Sequence, residues 1–296
     1  MKIIFMGTPH FAVPALEALL NAGHDIPLVF TQPDKPRGRG QQVRFSPVKE
    51  YACQHNIEVY QPSSLRRGDD AAVSLTLIRD VNPDVIIVAA YGQILPREVL
   101  DAPRLGCVNI HASLLPRWRG ASPINFCIMS GDKTGGITIM QMEDGIDTGD
   151  MFLCEECAIG EDMTASELHD TLSEIGARLI VEFCTKPEYY IERKTKQNEA
   201  QATHAPLITK DMKQIDWYKS ASDNHNFIKG LAGEAYMFYG EKRLKVYRSE
   251  VDDVSRGELD FVCGDGNVLR LTEIQPEGKR RMSADEFLRG IQKQKG

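Results

Sequence analysis

The residues best suited to chemistry lie between positions 107 and 150. In Cys107-Val-Asn109-Ile-His111, Asn109 and His111 are two apart. On a strand such residues share a face. A polar pair at the end of a central strand is costly to bury without partners. The pair is therefore either a hydrogen-bonded structural unit or a reactive one, and spacing alone admits both. A third group follows the apolar run 136–142, in Glu143-Asp-Gly-Ile-Asp147-Thr-Gly-Asp150. That loop lacks the twelve-residue pattern of a calcium hand. A carboxylate beside a histidine orients the ring and favours its charged form. Asn, His and Asp together can polarise a carbonyl, stabilise the oxyanion that follows and move protons. Neither a cysteine nor a serine nucleophile is required if the attacking group is an amine of the substrate.

Other candidate motifs are weaker. Gly7-Thr8-Pro9-His10-Phe11 has one glycine where a dinucleotide fingerprint needs three. It predicts a tight strand-to-helix turn rather than a nicotinamide or flavin site. Cys154-Glu-Glu-Cys157 has the CxxC form, but no second CxxC or HxxxH accompanies it, so no metal site is expected. The seven cysteines are odd in number and scattered, which speaks against a disulfide framework. Segment 34–49 carries Lys35, Arg37, Arg39, Arg44 and Lys49 against Asp34 alone, a local charge of +4 in a chain of net charge −7. A polyanion would have to be met at such a patch, although a solvated surface loop is the plainer reading of the charges alone.

The elements that must position these groups alternate. Residues 2–6 form a short apolar run ending at Gly7, the pattern of a buried strand. Residues 11–22 have helical spacing, with Pro14 tolerable in the first turn. Strands are predicted at 26–31, 56–60 and 85–90, and helices at 48–55 and 71–81. This order predicts a parallel sheet covered on both faces by helices. In such sheets ligands sit beyond the carboxyl ends of the strands, so chemistry is expected on the loops after Met6, Thr31, Ala90 and Ile110. Residues 186–205 are polar and predict a linker. Beyond it, strands at 244–247, 259–262 and 268–273 with glycine turns predict a small β-barrel or sandwich. Tyr236, Phe238 and Tyr239 are expected in its core. Ser283 and Glu286 give a capping-box start to a last helix at 283–292.

Composition sets outer bounds. Of 296 residues, 42% are apolar and 26% charged, which excludes a mostly disordered chain. The longest unbroken apolar stretch, 85–91, is far short of the roughly 20 residues that span a bilayer. No signal peptide opens the chain, so a cytoplasmic protein is expected, with no membrane partner. Residues 1–206 carry 19 basic and 27 acidic side chains, whereas 207–296 carry 16 and 15. Nothing suggests an obligate oligomer, and a monomer is expected.

The stretch Asn109-x-His111-x-Ser113-Leu114-Leu115-Pro116-x-x-Arg119-Gly120, with Asp147 downstream, resembles the signature of formyltransferases that use 10-formyltetrahydrofolate. The resemblance covers nearly the whole chain. Phe5-Met6-Gly7-Thr8-Pro9-x-Phe11-Ala12, Gln32-Pro33-Asp34-Lys35-Pro36 and Ala89-Ala90-Tyr91-Gly92 are similar to the members of that family that act on methionyl-tRNA. So are Ile215-Asp216-Trp217 and Gln275-Pro276-Glu277-Gly278-Lys279-Arg280-Arg281-Met282. One stretch departs: residues 232–239 lack the Pro- and Trp-containing turn usual in the family.

The resemblance implies an α/β chain with a Rossmann-like parallel-sheet catalytic domain over 1–188, a linker over 189–206 and a small OB-like β-barrel domain over 207–296. It implies formyl transfer to the α-amino group of methionine on initiator tRNA, for translation initiation. Asn109, His111 and Asp147 would be catalytic, and Ser113, Leu114, Leu115 and Pro116 would contact the folate. Lys35, Arg37, Arg39 and Arg44 would meet tRNA, with further basic residues in the last domain. Three other readings compete: formylation of a small amine such as glycinamide ribonucleotide or an amino sugar, RNA binding without catalysis on the same fold, and a dinucleotide-dependent oxidoreductase. The basic loop, the complete Asn–His–Asp set and the missing glycines weigh against them in that order.

Overall fold

The computed structural model describes residues 1–37 and 42–295, with side chains left out of the description over 35–43 and 292–295. The chain runs β1 Lys2–Gly7, α1 Val13–Asn21, β2 Asp25–Phe30, β3 Lys35–Arg37, β4 Gln42–Arg44, α2 Pro47–Gln54, β5 Glu58–Tyr60, α3 Asp69–Val81, β6 Val85–Ala89, α4 Arg97–Leu100 and β7 Cys107–His111. It continues with α5 Pro123–Met129, β8 Thr134–Gln141, β9 Met151–Ala158, α6 Ala165–Thr185 and α7 Pro187–Glu192. The last part holds α8 Ala221–Leu231, β10 Tyr236–Tyr239, β11 Lys242–Asp252, β12 Asp260–Val262, β13 Val268–Pro276, β14 Met282–Ser283 and α9 Ala284–Lys295.

Seven strands form one sheet in the order β5-β2-β1-β6-β7-β8-β9. The first four pairings are parallel and β7–β8 is antiparallel, so the expected parallel sheet is mixed at one side. The strand order reverses between β1 and β6, the switch point at which such sheets gather ligands. β6 is buried along all five residues, as a strand covered on both faces requires. The turn after β1 is a 3-10 segment, His10–Ala12, ahead of α1, so the expected helix starts later than its apolar spacing suggests. Gly7 leaves no room for a side chain, since a Cβ there would lie 2.8 Å from that of Ala12.

Two compact units emerge. One comprises Met1–Arg119, Gly136–Glu156 and His169–His204, and the other Gly120–Gly135, Cys157–Leu168 and Ala205–Gly296. The expected regions follow chain order, whereas these units are discontinuous in sequence. In the second unit α5 packs on α8, where Asn125 Nδ2 donates to Gly230 O at 2.7 Å. Its antiparallel sheet, β10-β11-β13-β12 with β14 on β13, curls around a core that includes Ile228, Leu244, Val246, Leu271 and Ile274. This is the expected OB-like barrel. Ser283 Oγ caps α9 by accepting from Glu286 N at 3.2 Å.

Two local expectations change. On β10, alternation buries Met237 and turns Phe238 outward, 52% exposed, while Tyr239 packs on the core. Tyr236 shares the outer face with Phe238, their rings 5.8 Å apart edge to face, so only Tyr239 of the three aromatics is a core residue. The expected linker is ordered: α7 takes up its start, and Thr195 pairs with Met151 through two backbone bonds of 2.8 Å. Among the described residues, no helix is long and apolar enough to cross a membrane.

Candidate active site

β7 brings Asn109 and His111 to the carboxyl end of the sheet on one face, and β8 pairs with it from Val108 to His111. The β8–β9 connection then returns over that end. It is closed by Gln141 N donating to Asp150 O at 2.8 Å and Met142 N to Cys107 O at 2.8 Å. Gly149 is needed for this closure, because a Cβ there would stand 2.0 Å from Gln141 O. The loop carries Asp147 with φ of 53°, a left-handed conformation that costs a non-glycine residue about 1–2 kcal/mol.

The three sequence-predicted catalytic residues meet. Asp147 Oδ1 lies 3.5 Å from Asn109 Nδ2, and its Oδ2 lies 3.6 Å from His111 Nδ1. His111 is 5% exposed, and its Nε2 stands 3.0 Å from Trp118 O. A carbonyl only accepts, so Nε2 carries a proton and Nδ1 is the nitrogen presented to the carboxylate. The contacts to Asp147 are long for hydrogen bonds, as catalytic contacts often are before substrate closes the site. One carboxylate thus spans an amide donor and an imidazole.

Of the four residues expected at the folate, Ser113 and Leu115 are hydrogen-bonded within the turn. Ser113 is buried, and its Oγ donates to Arg117 O at 2.5 Å. Leu115 is buried too, its N donating to Thr138 Oγ1, which in turn donates to Ser113 O at 2.7 Å. Leu114 and Pro116 are half-buried. Nearby loops from the switch point also converge: Thr8 Oγ1 donates to Tyr91 O at 3.0 Å and accepts from Gln32 N at 3.3 Å. Among the described residues, Gln32 Nε2 and the Tyr91 hydroxyl are buried without a hydrogen-bond partner. Burial also pushes the Tyr91 phenol up, so it stays a neutral donor. Buried polar atoms of this kind normally find partners. A flat heterocycle bearing both donors and acceptors suits them, as a pterin would.

Of the basic residues, Lys35, Arg37 and Arg44 lie on the short strands β3 and β4, where the sequence suggested a surface loop. Lys35 pairs in register with Arg44, which is exposed, and Arg37 pairs with Gln42. Arg39 lies outside the described residues. Lys49 is committed elsewhere, bonded to Asp34 and to Gln61 Oε1. Burial of Asp34 favours its neutral form, but bonds from Lys49 and Gln61 outweigh this and hold its carboxyl below the usual range.

Sequence reasoning missed the part played by residues 194–204. Gln197 Nε2 donates to Asp147 O and Gly149 O, each at 2.8 Å. Lys194 pairs with Asp150 at 2.9 Å. Thr203 Oγ1 accepts from Trp118 N at 2.9 Å, and Thr203 O accepts from Arg119 N at 2.9 Å. The segment therefore holds both the Asp147 loop and the turn whose carbonyl faces His111. Its residue types are mostly polar, which is why it reads as a linker.

Comparison with known proteins bears on the whole chain. The family model described as "Formyl transferase" matches residues 1–184, and "Formyl transferase, C-terminal domain" matches 207–292. The chain is 46% identical to a methionyl-tRNA formyltransferase of Caldanaerobacter subterraneus subsp. tengcongensis, over 98% of this chain and 97% of that protein. It is 45% identical to one of Alkaliphilus oremlandii, over 100% and 98%. Its fold is similar to that of an N-formyltransferase from Helicobacter canadensis, solved with folinic acid and dTDP-3-aminofucose. The TM-score there is 0.66 at 19% identity, over 92% of this chain and 98% of that one. That likeness speaks for the fold, and the two full-length relatives for the branch. With Asn109, His111 and Asp147 gathered at one sheet end and identity running through both halves, the chain belongs to the formyltransferase family, among the methionyl-tRNA formyltransferases.

Proposed function

We propose that this chain transfers the formyl group of 10-formyltetrahydrofolate to the α-amino group of methionine carried on initiator tRNA. The observation that carries the reading is the carboxylate of Asp147 set between Asn109 and His111. The amine lone pair attacks the formyl carbon, and a carbon–nitrogen bond forms as the carbonyl electrons move to oxygen. Asn109 Nδ2 donates to that oxyanion, and His111, held between Trp118 O and the Asp147 carboxylate, helps stabilise that charge or shuttles the proton. Asp147 accepts the proton lost by the attacking amine, directly or through one water. The carbonyl then re-forms, the bond to the folate nitrogen breaks, and that nitrogen leaves as an amine after taking up a proton. Leu114 and Pro116 offer apolar contact to the folate body, while Ser113 and Leu115 shape the turn beneath it.

Two basic surfaces support a tRNA substrate. Lys35, Arg37, Arg39 and Arg44 would meet phosphates beside the site. On the barrel, Arg243 lies over the Tyr236 ring at 3.9 Å, next to exposed Phe238, which offers both charge and a stacking face. The chain would work in the cytoplasm as a monomer. The test is formyl transfer to methionine charged on initiator tRNA, run beside free methionine and glycinamide ribonucleotide. Selective formylation of the charged tRNA is expected. Transfer to a small amine alone would overturn the tRNA assignment and leave the catalytic trio standing.

A further inference from the structure

Arg119 is 3% exposed, and a buried guanidinium needs partners for its charge. Its two terminal nitrogens bind the Glu199 carboxylate at 2.9 and 2.7 Å, and its Nε donates to Gln197 Oε1 at 2.9 Å. Arg119 also holds the Glu199 carboxyl below the usual carboxylate range. The acceptor end of Gln197 is thereby taken by a group that can only donate. Its amide nitrogen must point the other way, to Asp147 O and Gly149 O at 2.8 Å each. A flipped amide would set NH2 against the guanidinium and oxygen against two carbonyls.

We propose that Gln197, oriented by Arg119 and Glu199, is the positioning residue that holds Asp147 in its reactive place. The two bonds pin the backbone on both sides of Thr148, where Asp147 sits in its left-handed conformation. Residues 143–146 of the same loop are exposed, Ile146 to 66%. The carboxylate must reach Asn109 and His111 together, and a misplacement of about 1 Å in such a set costs about 10²-fold in rate. In this arrangement Gln197 acts through the main chain of Asp147.

This inference rests on the assignment of Asp147 as catalytic, so the test includes that residue. Purified full-length wild type, Asp147→Asn, Gln197→Glu and Gln197→Met are compared in steady-state formyl transfer to charged initiator tRNA, with melting temperatures measured alongside. Gln197→Glu keeps the shape and the partner of Arg119 but replaces the donor with an acceptor facing two carbonyls. Gln197→Met keeps the volume and removes both roles. Expected for both is a fall in kcat of roughly 10- to 100-fold, with KM for tRNA and folate little changed and Gln197→Glu melting near wild type. Near-normal kcat in folded Gln197→Glu would overturn the proposal, reducing Gln197 to a partner of Arg119. So would a loss of activity in that variant matched by an equal loss of folded protein. Activity retained in Asp147→Asn would overturn the site assignment beneath the proposal instead, whatever Gln197 does.

Discussion

At the scale of residues, the account rests on three polar side chains with different duties. Asn109→Ala removes the oxyanion donor and should cost roughly 10²–10³ in kcat, measured by initial rates at saturating substrate. The protein should stay folded, since Asn109 is half-buried and its neighbour Asp147 retains the contact with His111. A drop confined to KM would instead make Asn109 a binding residue. Spacing alone marked the polar pair Asn109 and His111 and an acidic, glycine-bearing loop downstream; which of that loop's four carboxylates joins the pair came only from the family resemblance. Gln197 was not legible, because what it recognises is main-chain carbonyls, which leave no trace in residue types. Ser113 and Leu115, expected at the folate from their place in the signature, also hold the turn together through hydrogen bonds that residue types alone do not reveal.

At the scale of elements, β7 must be held rigid if Asn109 and His111 are to keep their aim. Gly176 on α6 allows that helix to lie directly on the strand, since a Cβ there would stand 2.8 Å from Ile110 Cγ2. Ile110 is buried between Asn109 and His111 in sequence. Gly176→Val should therefore destabilise the chain by about 1–3 kcal/mol through overpacking, read as a lower urea midpoint. An unchanged midpoint would mean that the contact has slack. The sheet strands, α2 and α3 were legible from apolar periodicity, and α9 from its capping box. α6 carried an equally clear start, with Thr164 N donating to Glu167 Oε2 at 2.8 Å and Thr164 Oγ1 accepting from Glu167 N at 3.4 Å. The antiparallel turn of β8 against β7 had no sequence signature, since strand direction depends on what the chain does between strands.

At the scale of the molecule, an acidic chain has to bind an acidic substrate through local patches. Contacts to phosphate release counterions, so the KM for charged tRNA should rise steeply with salt while the KM for the folate changes little. Arg39→Ala and Arg44→Ala should each raise the tRNA KM and lessen that salt slope, checked by rates between low and physiological salt. Phe238→Ala should also raise it, but without altering the slope, because stacking carries no charge; base–aromatic stacking is worth about 1–3 kcal/mol. A salt-independent tRNA KM would contradict the role given to the basic segment. The second half of the chain was legible as a small β domain from its glycine turns and short strands. Which parts of the first half pack with it was not, because α5 joins α8 across about 100 residues of sequence and only folding brings them together.

The most direct measurement is single-turnover formyl transfer by Asp147→Asn, with charged initiator tRNA and 10-formyltetrahydrofolate both saturating and wild type beside it. The substitution keeps the shape of the side chain and removes its capacity to take a proton. The account predicts a folded protein that binds both substrates and transfers formyl at least 10²-fold more slowly, the low end of what a positioned acid or base contributes. A rate near that of wild type would contradict it, and would move the proton's acceptor away from the carboxylate that Asn109 and His111 share.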